Sequence, residues 1–378
     1  IAIGTNALGA STTGCRNVAI GELAIGTGVT TSTYNVAIGF EPAKSLTTGE
    51  KNVALGQCAL KTSTTGCLNV AIGSAAMGGA DTTGQKNVAI GTTSADALTS
   101  GQYNVAIGTN AYGAAATGSQ NVAIGTVALG GALTTGANNI AIGENTADAL
   151  TSGACNIALG IDALGAATIG LKNIAIGQGA MSGVTTGQAD TNIGIGWNAL
   201  AGHSTMSGNS NIAIGAEPMG AITSGACNIG IGTDALANAT TGNLNVAIGK
   251  GAMSAAMTGG NNIAIGLGAM DAALGANGNV ALGENALGAL TTGARNIAIG
   301  DSSGTTLTTA GCIINIGCGV DNTTAGTTCI GGTCVMATQF TATSDCRSKK
   351  NIKDLPFGLD FINLLRPVSY KWKPQADK

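Results

Sequence analysis

The chain has 378 residues, 62 of them glycine, with 9% charged and 3% aromatic side chains. That glycine share is about twice the usual one and disfavours a helical bundle, while five prolines without a Gly-X-Y period exclude collagen. No apolar run approaches the roughly 18 residues that a membrane helix needs, so no membrane insertion is expected. An apolar content of 44% argues against a solvated, disordered chain.

Charge divides the sequence in two. Residues 1–344 hold eight Lys or Arg and fifteen acids, and residues 345–378 hold eight Lys or Arg and four acids. The long part shows no basic stripe with stacking aromatics, so nucleic acid is not expected as a partner. Ile1–Gly4 already lies inside a repeated pattern, so the chain is expected to be a fragment at its N-terminus.

The pattern is a pentad, Asn-(Val/Ile)-(Ala/Gly)-(Ile/Leu)-Gly, recurring from Asn17 to Asn296. Its spacing is 17 residues in most cases, 18 in three and 19 in two. Asn315-Ile-Gly-Cys-Gly319 is a partial echo. Counting the Asn as position one, aliphatic residues at positions two and four flank a small residue at three. This alternation predicts a strand, with the larger residues facing a dry interior. The Gly at position five predicts a sharp turn or close backbone approach. Positions eight and nine usually read Ala-Leu or Ala-Met. Met77, Met181, Met219, Met253 and Met270 all fall at position nine and predict a core stripe, not a metal or redox site. Thr-Thr-Gly or Thr-Ser-Gly then predicts the next turn.

One such unit cannot bury its own apolar face, but a stack of units can. Residues 1–300 are therefore expected to form an all-β, parallel β-solenoid or β-roll of about 18 coils, of either hand. At about 4.8 Å per coil the rod would be on the order of 85 Å long. The leading Asn would stack on Asn, amide to amide. Residues 301–343 would form a cysteine-containing end cap or neck, and 344–378 a distinct C-terminal segment with short helix and strand elements.

Candidate chemistry in the repeats is sparse. Cys58 and Cys67 either pair or stay free. Cys312, Cys318, Cys329 and Cys334 either staple the cap by disulfides or are free thiols, and their spacing is poor for zinc. No metal or cofactor is expected. The two 19-residue repeats carry Trp197 and His203, which read either as a small ligand-contacting loop or as a tolerated insertion.

The Asn-Val-Ala-Ile-Gly repeat resembles the heads of trimeric autotransporter adhesins and repeats of phage and large-virus tail fibres, though the adhesin period is shorter. The resemblance implies a homotrimer, with aliphatic positions facing both the roll interior and the three-fold axis.

The C-terminal segment carries Ser344-Asp345-Cys-Arg347-Ser-Lys349-Lys350-Asn351-Ile352 and then Leu365-Arg366-Pro367-Val368-Ser369-Tyr370-Lys371-Trp372. Leu359, Ile362 and Leu365 suit one face of a short helix, and Val368–Trp372 alternates like a strand. The two linked motifs resemble the start of the intramolecular chaperone domain of endosialidases and related tail spikes, the S74 self-cleaving peptidase family. The family domain runs further, so the segment reads as truncated at Lys378. The resemblance implies a domain that trimerises a fibre, guides its folding and is released by self-cleavage. Matched residue by residue, Ser344 is the nucleophile, Lys349 its base, and Ser344–Asp345 the bond cut. The chemistry is coherent, because a serine hydroxyl needs a base and a buried lysine can serve as one.

The expected function is a fibre or adhesin on a virion tail or an extracellular cell surface, binding a host-surface glycan or protein receptor. Any enzymatic activity would be a single self-cleavage. The alternatives are a trimeric adhesin head without proteolysis and an ice-binding solenoid presenting threonine ladders.

Overall fold

A computed structural model describes residues 1–27, 29–183, 189–202, 206–331 and 333–335. The chain divides into two compact units, Ile1–Val335 and Met336–Lys378, and the second lies outside the described residues. Ile1–Val335 is a β-solenoid of about nineteen turns, with no helix among the described residues. Strands are numbered β1 to β21 in chain order. Each coil supplies one short strand, and each strand pairs in parallel with that of the next coil. Thus β2 (Val18–Ile20) sets Val18, Ala19 and Ile20 beside Val36, Ala37 and Ile38 of β3 (Val36–Ile38). The 19-residue intervals keep this register, with Ile174 beside Ile193 and Ile193 beside Ile212. The extra residues are therefore absorbed outside the strands.

The interior is not filled by the larger residues of the pentad. In β2 the small Ala19 is fully buried, while Val18 and Ile20 are half-buried, and the same pattern repeats along the stack. The expectation that positions two and four face the dry interior is reversed. The cause is room. Position nine sends Leu60, Met77, Leu129, Met181 and their equivalents, all fully buried, across the coil. Space for no more than a methyl group remains under the strand, and interiors tolerate neither voids nor overlap. The Met stripe is core, as the sequence indicates. Tyr112 takes the same slot once, and its hydroxyl accepts a 2.8 Å hydrogen bond from Asn121 Nδ2. Burial there pushes its phenol well above the usual tyrosine range.

Tight turns keep the coil narrow. In the coil of Asn52, the non-glycine residues Lys51, Cys58 and Leu60 all adopt left-handed φ, near +50 to +60°. The arrangement keeps N–H groups directed along the rod: Cys58 N donates to Phe40 O at 2.9 Å and Leu60 N to Ala76 O at 3.0 Å. Each such residue costs about 1–2 kcal/mol in isolation, so the stack must over-determine it.

The asparagines form a buried ladder. Asn139 Oδ1 accepts from the backbone N–H of Asn156 at 3.0 Å and from its Nδ2 at 3.1 Å. Asn139 Nδ2 donates to Gly153 O at 2.9 Å. The ladder ends at Asn296, whose Oδ1 accepts from Ile313 N at 3.0 Å. Asn315 is not its next member. In β19 (Ile314–Ile316), Asn315 lies beside Ala298 of β18 (Ile297–Ile299), in the inward alanine column. The 17-residue spacing thus persists through Ile313, and the pentad echo is out of register by two residues. Parallel stacking continues to β20 (Thr328–Ile330), which pairs antiparallel with β21 (Thr333–Val335).

Candidate functional site

Turning the alanines inward turns the branched residues outward. Positions two and four sit on one face of every strand, so stacking aligns them as two columns of Val, Ile and Leu along the rod. Ile140 and Ile142 are each 37% exposed, Ile263 39% and Ile265 40%. The columns run about 85 Å and lie roughly 7 Å apart, an apolar strip on the order of 600 Å². That is at the top of the roughly 300–600 Å² covered by the largest apolar patch of a typical soluble monomer, a size that often marks an interaction site. The strip is the main chemical feature of the described surface.

Trp197 borders this strip. It holds position six, directly after the turn glycine Gly196, and is 52% exposed. Its carbonyl accepts from Glu217 N at 2.9 Å, so its backbone belongs to the regular stack. It extends the apolar face and does not sit in an inserted loop. His203 lies outside the described residues, as do Ser344, Asp345 and Lys349.

Threonines of the second turn are largely occupied by the fold. Thr47, Thr151 and Thr223 donate their hydroxyls to the carbonyls of Thr64, Thr168 and Thr240 in the following coils, at 3.0, 2.9 and 2.9 Å. Cys58 and Cys67 are free, as are Cys312 and Cys318. Cys329 is disulfide-bonded, and Cys334 stands opposite it in the antiparallel pair. Glu41 carries the ion pairs found among the described residues, to Lys44 at 2.6 Å and Lys61 at 2.8 Å. Hydrogen bonds from Lys44 and then Lys61 hold its carboxyl below the usual range.

Sequence reasoning missed the outward face, although a signal was present. Position nine already provides a large residue in thirteen of the seventeen pentad coils, and Leu46, Leu98, Leu150 and Leu307, three residues later, fill the other four, leaving no interior for two more. No curated protein and no solved structure matches the chain. Residues 344–378 match the family model of the chaperone of endosialidase, peptidase S74.

Proposed function

We propose that this chain is the shaft of a homotrimeric attachment fibre, followed by a chaperone segment that assists assembly and is released by self-cleavage. The observation that carries the reading is the continuous apolar strip on a rod whose chain leads into residues matching the chaperone of endosialidase. A partner for the strip must be equally long and offer aliphatic side chains at the same axial repeat. Another copy of this chain meets both conditions. Three copies around one axis would remove the strips from water, a gain of about 25 cal/mol per Å² buried. Such a fibre belongs on a virion tail or a cell surface, with a host glycan or protein receptor as its target. In the chaperone segment, Lys349 would take the Ser344 hydroxyl proton as that oxygen attacks the Ser344 carbonyl carbon; an ester forms as the bond to the Asp345 nitrogen breaks, the departing amine takes up the proton, and water then hydrolyses the ester.

Intact mass of the full-length protein, beside the same protein carrying Ser344→Ala, tests the processing step. The expected result is a break between Ser344 and Asp345 in the parent and an unbroken chain in the variant. An unbroken parent would remove the self-cleavage role and favour an adhesin shaft that is not processed.

A further inference from the structure

The residue just before each ladder asparagine is exposed, and before the first six asparagines these residues form a distinctive column. Arg16, Tyr34, Lys51, Leu68, Lys86 and Tyr103 follow one another along the rod, one per coil. The linear sequence hides the column, because its members stand 17 or 18 residues apart. Hydrogen bonds between coils fix their levels: Lys86 N donates to Cys67 O and Tyr103 N to Gln85 O, both at 3.1 Å. The tyrosines in turn hold two of the cations. Arg16 lies over the Tyr34 ring at 5.1 Å and Lys86 over the Tyr103 ring at 4.7 Å. Arg16 Nη1 also donates to the Tyr34 hydroxyl, and Lys86 Nζ donates to the Tyr103 hydroxyl at 2.9 Å. Two features separate the column from an ordinary solvated face. Residues 1–103 hold five bases, of which Lys44 and Lys61 pair with Glu41. The other three, Arg16, Lys51 and Lys86, all stand in the column and have no acid partner among the described residues. The long side chains also oppose the backbone. All six residues adopt φ between 57 and 62°, where glycine and asparagine are favoured. Asn138, Asn261 and Gly278 take the same position in later coils, so the fold accepts a short residue there. Positions that break a local preference without a structural need are where function is expected.

The cations recur at every second coil, about 10 Å apart. One coil advances about 4.8 Å, close to the advance of one pyranose ring in an extended polysaccharide. We infer that this column binds a linear acidic polysaccharide that carries one carboxylate or sulfate on every second ring. Its anions would meet Arg16, Lys51 and Lys86, and the uncharged rings between them would lie beside Tyr34 and Leu68. Tyr34 and Tyr103 accept hydrogen bonds from the cations, so their own hydroxyl protons are left to donate to sugar oxygens. Cations already held in place lose less freedom when the ligand arrives. Nucleic acid fits poorly, because its phosphates recur more closely than the cations do. Glu50, next to Lys51 in sequence, is the one acid at the position preceding the column in these six coils, and it disfavours a ligand charged on every ring. The inference rests on the attachment-fibre reading and adds the class of receptor and the place on the shaft that holds it.

Hyaluronan carries one carboxylate, and kappa-carrageenan one sulfate, on every second ring. Titration calorimetry of the whole protein with oligosaccharides of each reads binding, and the tighter of the two identifies the anion. At least one is expected to bind, and to bind less tightly as salt is raised. Arg16→Gln, Lys51→Gln and Lys86→Gln together should weaken that binding at least about tenfold. Tyr34→Phe with Tyr103→Phe keeps the rings and removes the hydroxyls, and should weaken it about threefold. Lys172→Gln with Arg295→Gln is the control. These two bases hold the same position in later coils, without a tyrosine or a second base in the adjacent coils, and their loss should leave the affinity unchanged. All the substituted residues are exposed, and circular dichroism checks that each rod is folded. A triple variant that binds like the parent would overturn the column as the site. So would an equal loss in the control, which would reduce the effect to net charge. Single-stranded DNA competing as well as the bound polysaccharide would overturn the match to every second coil. Binding of neither polysaccharide by the parent would overturn the inference outright. The trimer and the processing step are read by mass, independently of any of these results, so the shaft reading can stand where this one fails.

Discussion

Replacing Gly125 with alanine is expected to destabilise the rod by on the order of 4 kcal/mol or more, a loss that single substitutions reach only through a specific structural failure. Gly125 holds φ +133, a conformation that L-residues rarely adopt, and an added Cβ would fall 2.3 Å from the carbonyl oxygen of Gly143 in the next coil. Both obstacles are backbone, so no side-chain rotation relieves them. The control is Gly251→Ala. Gly251 has φ +65, and nothing lies within 4 Å of the place its methyl would take. Asp162 and Asp234, at the equivalent position of other coils, adopt φ 55 and 56 with a side chain present. That change should cost only about 1–2 kcal/mol. Chemical denaturation of the two variants beside the parent separates them. Equal losses would show that the turn, and not the approach of successive coils, makes glycine necessary.

The second large effect belongs to the asparagine ladder. Asn139→Leu leaves two buried groups without the partners they have now, the N–H of Asn156 and the carbonyl of Gly153. At about 1–3 kcal/mol for each unsatisfied group, the loss is about 2–6 kcal/mol. Asn139→Asp keeps the shape and distinguishes lost hydrogen bonds from a packing effect. One carboxylate oxygen still accepts from Asn156, but the other faces the Gly153 carbonyl, acceptor against acceptor. Only the protonated acid can donate there, so the folded state raises the pKa of the new aspartate above its unfolded value near 3.9. Stability is then retained below that value and lost as pH rises through the raised one. The melting temperature of the Asp variant should approach that of the parent near pH 4 and fall away toward pH 7. A pH-independent gap would show that Gly153 does not depend on the amide donor.

Much of this architecture is legible in the sequence. A five-residue pattern with period near 17 specifies one strand per coil, and Asn at a fixed position with glycine four residues later specifies the ladder and the close approach. The direction of the strand face is less legible. Alternation shows that Val18 and Ile20 share a face opposite Ala19, but period two alone does not say which face is inside. Size suggests the larger pair, and the dimensions of the coil decide for the alanine, because Leu and Met from position nine fill the interior first. The terminal register misleads for a similar reason. Asn315 imitates the pentad, whereas Gly317, 17 residues after Gly300, marks the true phase. Left-handed φ at residues such as Leu60 and Met77 has no signature in residue type, since it is imposed by neighbouring coils. The tail presents the reverse case. Its motif around Ser344 and Lys349 is plain in sequence and falls within the family match over 344–378, while its geometry lies outside the described residues.

Whether the outward aliphatic strip is an interface between copies of this chain is addressed most directly by sedimentation equilibrium. The parent is compared with a variant carrying Ile142→Lys and Ile265→Lys. Both isoleucines are exposed in the single rod, so the lysines leave the isolated solenoid intact. Both proteins carry Ser344→Ala so that the chain stays whole, and a strip-mediated trimer then predicts three times the 36.4 kDa chain mass for the parent and a shift to the single-chain mass for the variant. A folded parent that sediments at 36.4 kDa, with the variant indistinguishable from it, would contradict the trimer and leave a solitary rod.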